Sequence, residues 1–396
     1  MRVTTARLVL FSIWLAVEPA AVVRADAVSV AITYLGRQEP PRNPLSLVEP
    51  ILTDEGLKGA EQGLADNQTT GRFLKHEYSL KERVLAPDGD IAAEFKSALA
   101  AGERLFVADL REPDLLTIAP LADEAGVLLF NGRAEDDELR TDKCFQSTFH
   151  TAPSRSMKTD ALAQFLIWKR WPRWFLVYGS HPEDKLLADA YRRSATKFGA
   201  KIVAEKMYED TGGARRTDSG HVQVQAQIPV FTQDGGDYDV LVAADEADVF
   251  AEYLPYNSWE ARPVAGSVGL VPSAWSRVHE QWAGTQMQRR FEKTAHRPMT
   301  ERDYNVWVAM RAIGEAQANG LQPPAWALEV AAKLGDAFAA TGLADLADSF
   351  GVAYKAAAVV LLFTLIPVAF LPRKHEESHL LDDENGAPEP SPVLPH

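Results

Sequence analysis

Arg37, Arg111 and Arg133 each stand just past the carboxyl end of an apolar, β-rich run: AITYLGR, LFVADLR and VLLFNGR. A guanidinium is permanently charged and presents a planar fork of donors that matches carboxylate and phosphate oxygens in pairs. Parallel α/β sheets receive their ligands outside the carboxyl ends of the strands. The spacing therefore predicts a site for a small anionic solute. Asp109 and Asn131, at the ends of the same runs, join the candidate set. Tyr178, Ser180 and Asp245 hold the matching strand-end places in the second half of the chain. The chemistry this constellation offers is recognition, with no bond made or broken.

Signatures of catalysis and of cofactor binding are missing. There is no GxGxxG after the first strand, no GxxxxGK[ST], no GxSxG and no HExxH. The histidines are scattered without metal-ligand spacing, and a single cysteine, Cys144, offers neither a disulfide nor a zinc site. Cys144 reads as a small buried hydrophobe. The acidic run Glu135-Asp136-Asp137-Glu138 lacks the spaced oxygens and glycine turn of a calcium loop, so it reads as a solvated helix N-terminus. No enzyme activity, no cofactor and no metal are expected.

The elements that must position the strand-end residues alternate along the chain. Residues 28–34, 73–80, 105–110 and 127–130 read as strands. Helical spacing falls between them: behind an Asp54 cap with Leu57, Ala60 and Leu64, at Ile91, Phe95 and Leu99, and over 115–125 up to Gly126. The pattern restarts after Pro153. Ser154 caps a helix with Met157, Ala161, Leu162 and Phe165 on one face. A strand at 174–178 leads through His181-Pro182-Glu183-Asp184 into a helix that Gly199 stops. Strands follow at 201–208, 238–244 and 264–270, with a helix expected over 247–254. Thr300-x-x-Asp303 forms a capping box before a helix with Tyr304, Trp307, Val308 and Ala312. The tryptophans of WKRWPRW (Trp168, Trp171, Trp174) read as packing at the edge of the second half. The fold class is α/β, with two parallel-sheet halves over roughly 27–149 and 150–271 and the ligand in the gap between them.

At 396 residues the chain is long enough for two domains, and 46% apolar with 24% charged residues is ordinary globular composition. A net charge of −14 excludes a nucleic-acid binder, whose surface must attract phosphates. Residues 1–25 have the form of a secretory signal: Arg2 and Arg7, the apolar core LVLFSIWLAV, and small or branched residues before Asp26. Near the other end, AAAVVLLFTLIPVAFL (356–371) is uncharged and flanked by Lys355 and Arg373-Lys374. With its neighbours (353–372) it is long enough to span a bilayer and leave the tail in the cytoplasm. Residues 317–352 read as a helical connector, and 373–396, acidic and proline-bearing, as a disordered tail.

Several segments carry a family resemblance. DEGLKGAEQGLAD is similar to the first helix of periplasmic solute-binding proteins of branched-chain amino acid type. KCFQSTFHTAPS resembles their first crossover between lobes, and WFLVYGSHPEDKLLADAYRRSATKFGAKIVAEKMY the opening of their second lobe. Residues 238–316 resemble a subgroup of ABC-transporter binding proteins associated with pyrroloquinoline quinone-dependent alcohol dehydrogenase systems. Residues 337–374 look similar to the last membrane helix of major-facilitator drug exporters. The resemblance implies two Rossmann-like lobes on a hinge: 27–149 with 272–316, and 150–271. They would close on one solute, and the loaded form would dock on an ABC permease. It implies a periplasmic location, with the 353–372 helix as an inner-membrane anchor. A quinone-dependent dehydrogenase enters as a further partner. The same fold would also serve a periplasmic ligand sensor or cofactor-handling protein docking on that dehydrogenase. Amino-acid binders of the family hold the α-carboxylate with serine or threonine after the third strand. Here Ala108-Asp109-Leu110-Arg111-Glu112-Pro113 stands in that place, which points to a solute richer in carboxylates, the quinone cofactor or a metabolite of that pathway among them.

Overall fold

Apolar alternation builds two stacks of helix, sheet and helix. The structure, a computed structural model, describes residues 28–39, 51–211 and 223–318. The first lobe runs β1 (Val28–Arg37), α1 (Leu57–Leu74), β2 (His76–Leu85), α2 (Ile91–Ala100), β3 (Leu105–Asp109), α3 (Glu112–Ala125), β4 (Leu128–Asn131) and a short β5 (Thr148–His150). Its strands pair in parallel in the order β2-β1-β3-β4-β5. Alternate residues feed opposite faces. Leu35, Phe106, Ala108 and Leu129 meet α2 and α3 on one face; Ile32, Tyr34, Val107 and Phe130 meet α1 on the other. Such fully buried Leu, Ile and Phe side chains each contribute roughly 1.5–3 kcal/mol.

The chain then enters the second lobe. Its elements are α4 (Arg155–Trp168), β6 (Arg173–Gly179), α5 (Pro182–Phe198), β7 (Lys201–Tyr208), α6 (Val224–Phe231), β8 (Val240–Ala244), a one-turn α7 (Leu254–Asn257) and β9 (Val264–Gly266). The sheet is again parallel, in the order β7-β6-β8-β9. Trp174, Leu176, Val240 and Val242 pack on α4 and α5, while Phe175, Val177, Leu241 and Ala243 pack on α6 and the segment around α7. α8 (Gly284–Ala295) and α9 (Glu301–Ala318) follow. α9 returns to the first lobe and buries Val306, Ala309, Met310 and Ile313 against β1, β3 and β4. It lies so close to α1 that a Cβ at Gly59 would stand 2.0 Å from the Asp303 carbonyl oxygen.

Local chemistry amends several expectations. α1 starts at Gly56, not under an Asp54 cap. Asp303 accepts the Gly56 N–H at 2.9 Å, and Asp54 instead pairs with Arg297. That helix runs on to Leu74, so β2 begins at His76 and Phe73 is exposed rather than in a strand. No helix forms at 247–250: the Asp245 carboxylate takes the N–H groups of Val249, Phe250 and Ala251, and a 3₁₀ turn at Ala251–Tyr253 leads into α7. α4 is capped by Ser154 as its sequence predicts, but it turns Leu162, Ala163 and Leu166 inward and leaves Met157 and Phe165 exposed. α9 has its capping box, with Thr300 and Asp303 bonded reciprocally, yet its inner face is shifted to Val306, Met310 and Ile313. Trp174 is fully buried and donates to the Trp171 carbonyl, whereas Trp168 is largely exposed. Cys144 is exposed, not buried. Among the described residues no helix is long and apolar enough to cross a membrane. The connector expected at 317–352 has only Gln317 and Ala318 described, as the end of α9; its remainder, the signal at 1–25, the candidate span at 353–372 and the tail at 373–396 lie outside the described residues.

Candidate functional site

Both sheets point the carboxyl ends of their strands at a shared gap. The turn after β3 delivers Arg111 and Glu112, and the turn after β4 delivers Arg133, Glu135 and Asp136. The start of α4 brings Arg155, the turn after β8 Glu246, and the first turns of α9 bring Glu301, Arg302 and Asn305. Together with Glu55, Pro182, Glu183 and Leu186 they line a cleft of about 650 Å³. That is within the range of small-molecule sites. The walls come from both lobes and from α9.

Ion pairs set the positions of the cleft side chains. Arg111 and Arg133 share Glu39, Arg111 Nε at 2.8 Å and Arg133 Nη2 at 2.5 Å. Burial pushes the Glu39 carboxyl up, but the two guanidiniums outweigh it and hold the group at about 2. Arg155, almost fully buried, donates from Nε and Nη2 to Glu246 at 2.7 and 2.6 Å and from Nη1 to Asp136. It thus ties the turn after β4 to the turn after β8, one from each lobe. Lys158 of α4 divides its charge between Glu135 (2.6 Å) and Glu301 (2.9 Å). One cation shared by two acids leaves negative charge over. Burial accordingly raises the Glu135 carboxyl, while the two acids raise Lys158 against its own burial. Arg302 donates to Asp109 at 2.6 Å, and Asp109 also accepts the Tyr34 hydroxyl. The lining carries four arginines against seven acids. A second full carboxylate would meet that excess at close range in a medium of reduced dielectric.

The strand-end rule placed Arg111 and Arg133 in the cleft. The remaining predicted residues are occupied elsewhere. Arg37 forms a two-point pair with Asp114 (2.6 and 2.9 Å) and donates to the carbonyls of Ala86, Pro87 and Gly89, so it pins the β1, β2 and α3 ends together. Asp109 is fully buried and orients Arg302 rather than facing the gap. Asn131 is buried under the turn after β4: its Oδ1 accepts the N–H groups of Arg133 and Ala134, and its Nδ2 donates to the Ala134 carbonyl. It shapes the loop that carries Arg133. Tyr178 lies under the Arg192 guanidinium at 5.1 Å, Ser180 accepts the Asp210 N–H, and Asp245 caps the turn after β8. None of these lines the cleft.

The acidic run at 135–138 is also engaged, contrary to its reading as a solvated helix start. Glu135 meets Lys158, Asp136 meets Arg155, Asp137 accepts from Ser156, and Glu138 pairs with Lys143. Sequence reasoning missed Arg155, Glu246, Arg302 and Asn305. Arg155 directly follows the Ser154 cap and Arg302 sits inside the T-E-R-D capping box. Helix starts that converge on strand ends were the signal available.

The sequence profile of the periplasmic binding protein family matches residues 90–319, over half of the chain. No curated protein matches. Among solved structures, an ABC transporter substrate-binding protein from Desulfitobacterium hafniense is similar at 16% identity and a TM-score of 0.56, covering 78% of this chain and 89% of its own. A branched-chain amino acid ABC transporter periplasmic ligand-binding protein from Burkholderia xenovorans is similar at 14% identity and 0.55, over 75% and 80%. A branched-chain amino acid transporter substrate-binding protein from Streptococcus pneumoniae, in complex with isoleucine, is similar at 14% identity and 0.55, over 77% and 88%. These likenesses concern the fold. Two parallel-sheet lobes around a charged gap and the profile match agree: the chain belongs to the periplasmic binding protein family.

Proposed function

We propose that the chain is the extracytoplasmic solute receptor of an ABC-type importer. A small carboxylate-bearing solute enters the cleft, draws the lobes together about the hinge, and the closed form is presented to the permease. The observation that carries this reading is the composition of the cleft walls. They come from both lobes and α9, and guanidiniums of Arg111 and Arg133 stand at strand ends. A ligand shifts an open–closed equilibrium only through contacts that differ between the two states, which a wall built from both lobes provides.

The excess of acids over arginines narrows the solute. The arginine cluster suggested a carboxylate-rich ligand, but every cleft arginine already faces a carboxylate. A monocarboxylate gains one charge-assisted pair, and a polyanion such as the quinone cofactor would add repulsion with each further charge. Leucine and isoleucine, named with two of the similar structures, are themselves monocarboxylates. The likeness of residues 238–316 to binding proteins of quinone-dependent alcohol oxidation supports a metabolite of that chemistry as the solute and a dehydrogenase as a neighbour in the periplasm. The apolar run 356–371 supports attachment to the inner membrane, which fractionation of the full chain tests.

A thermal-shift screen of mono-, di- and tricarboxylates tests the core of the reading. A solute at a hundred times its Kd stabilises by about 2.7 kcal/mol. The expected result is a clear rise in Tm for monocarboxylates and a smaller one or none for tricarboxylates. Absence of any shift across the panel, or turnover of a compound by the purified chain, contradicts it.

A further inference from the structure

Two buried polar side-chain atoms on the cleft wall have no hydrogen-bond partner among the described residues. Arg133 gives Nη2 to Glu39, but its Nη1 is buried with no hydrogen-bond partner among the described residues. Asn305, in the second turn of α9, is 3% exposed, and its Oδ1 likewise has none. Both residues line the cleft. Their backbones are brought together by their chain neighbours: a Cβ on Gly132 would come within 2.8 Å of Val306 Cγ2. An unpaired buried polar group costs about 1–3 kcal/mol. The arrangement is therefore built for a ligand that returns both bonds.

We infer that the solute is a monocarboxylate with a hydroxyl next to the carboxylate, the carboxylate meeting Arg133 Nη1 and the hydroxyl donating to Asn305 Oδ1. This rests on the reading of the cleft as the solute site. An ammonium group in place of the hydroxyl carries three N–H donors. Among the described cleft-lining side chains, Asn305 Oδ1 is the one buried acceptor without a partner. The nearest carboxylates on the same elements, Glu135 and Glu301, are held by Lys158, and Glu39 by two arginines. A hydroxyl brings one donor to one acceptor and leaves nothing over.

The test is titration calorimetry of the full chain with four acids on one skeleton: hexanoate, 2-hydroxyhexanoate, 2-aminohexanoate and 2-hydroxyadipate. The expected order places 2-hydroxyhexanoate first. Hexanoate is weaker by at least about tenfold, the consequence of leaving the Asn305 acceptor unpaired. The amino acid binds more weakly than the hydroxy acid, and the diacid is the weakest of the four. Asn305→Leu erases the preference for the hydroxy acid over hexanoate, read as the ratio of their two Kd values; Arg133→Gln weakens both acids together and keeps that ratio. Asn305→Ala serves the same comparison if the leucine variant does not melt cooperatively. Tighter binding of 2-aminohexanoate than of 2-hydroxyhexanoate overturns the inference while leaving the receptor reading intact. Equal affinity for hexanoate and its hydroxy derivative overturns it as well. Silence from all four acids overturns it too, and the wider carboxylate screen then decides whether the receptor reading falls with it.

Discussion

At the scale of single residues, pairing decides what each charge can still do. Glu39 neutralises much of Arg111 and Arg133, and its pKa near 2 keeps it ionised at any physiological pH. Glu39→Gln removes that competitor, and we expect monocarboxylates to bind several-fold tighter and dicarboxylates to become detectable by calorimetry. His150 offers a separate test. Burial, helped by the charge of Arg140, brings its pKa down to about 4, against about 6.5 in an unfolded chain. Between those values the unfolded state binds more protons, so stability falls as pH drops from about 6.5 to 4 and is indifferent to His150 above that window. Urea midpoints measured across this range should slope for the native chain and flatten for His150→Gln. The position of Arg111 and Arg133 on the cleft wall was legible in the sequence because their backbone place at the strand ends alone puts them at the gap. Arg37, Tyr178, Ser180 and Asp245 stand at equivalent strand ends but are held by nearer partners, which only the packed structure reveals. Arg155, Arg302 and Asn305 are distant in sequence from the strands they meet, so no local pattern marked them.

At the scale of elements, the buried strands were the most legible. Runs such as LFVAD and VLVAA are apolar on both faces because helices cover both, and their bounds agree with the sequence reading within a residue or two. Helix faces were less legible. α9 looks aromatic at Tyr304 and Trp307, yet Tyr304 stacks between Trp307 and Trp275 in a cluster with α8, while Val306, Met310 and Ile313 enter the sheet core. Helix starts hinge on carboxylates that serve two elements at once. Asp303, fully buried, accepts from Thr300, Arg297 and the Gly56 N–H and so fixes α9 and α1 together. Asp303→Ala takes the two-point partner from buried Arg297, leaving it Asp54 alone, and strips the Thr300 and Gly56 N–H groups of their acceptor; it should cost about 3 kcal/mol in denaturant unfolding. Gly132→Ala drives a methyl into Val306, at the contact that packs the turn carrying Arg133 against α9. An overpacked contact of that kind costs about 1–3 kcal/mol, and here solute affinity should fall along with stability.

At the scale of the molecule, two similar sheets contribute unlike halves of one site. The first lobe and α9 bring the guanidiniums of Arg111, Arg133 and Arg302, and the second lobe brings Glu246 and the α5 start. Arg155 and Lys158 cross from α4 to carboxylates of the first lobe and α9, so the lobes are coupled through ions even before a solute adds its own contacts. Arg155→Leu should weaken that coupling and lower solute affinity without abolishing the fold, read as a Kd increase with a cooperative melt retained. The two-lobed plan was legible because the strand–helix alternation restarts after Pro153; the net charge of the gap was not, since it depends on which acids the folded chain turns toward it. The most direct test of the account is small-angle X-ray scattering of the purified chain before and after saturation with the monocarboxylate that gives the largest thermal shift. A fall in the radius of gyration on saturation is the predicted result. An unchanged scattering profile with the solute demonstrably bound would contradict it.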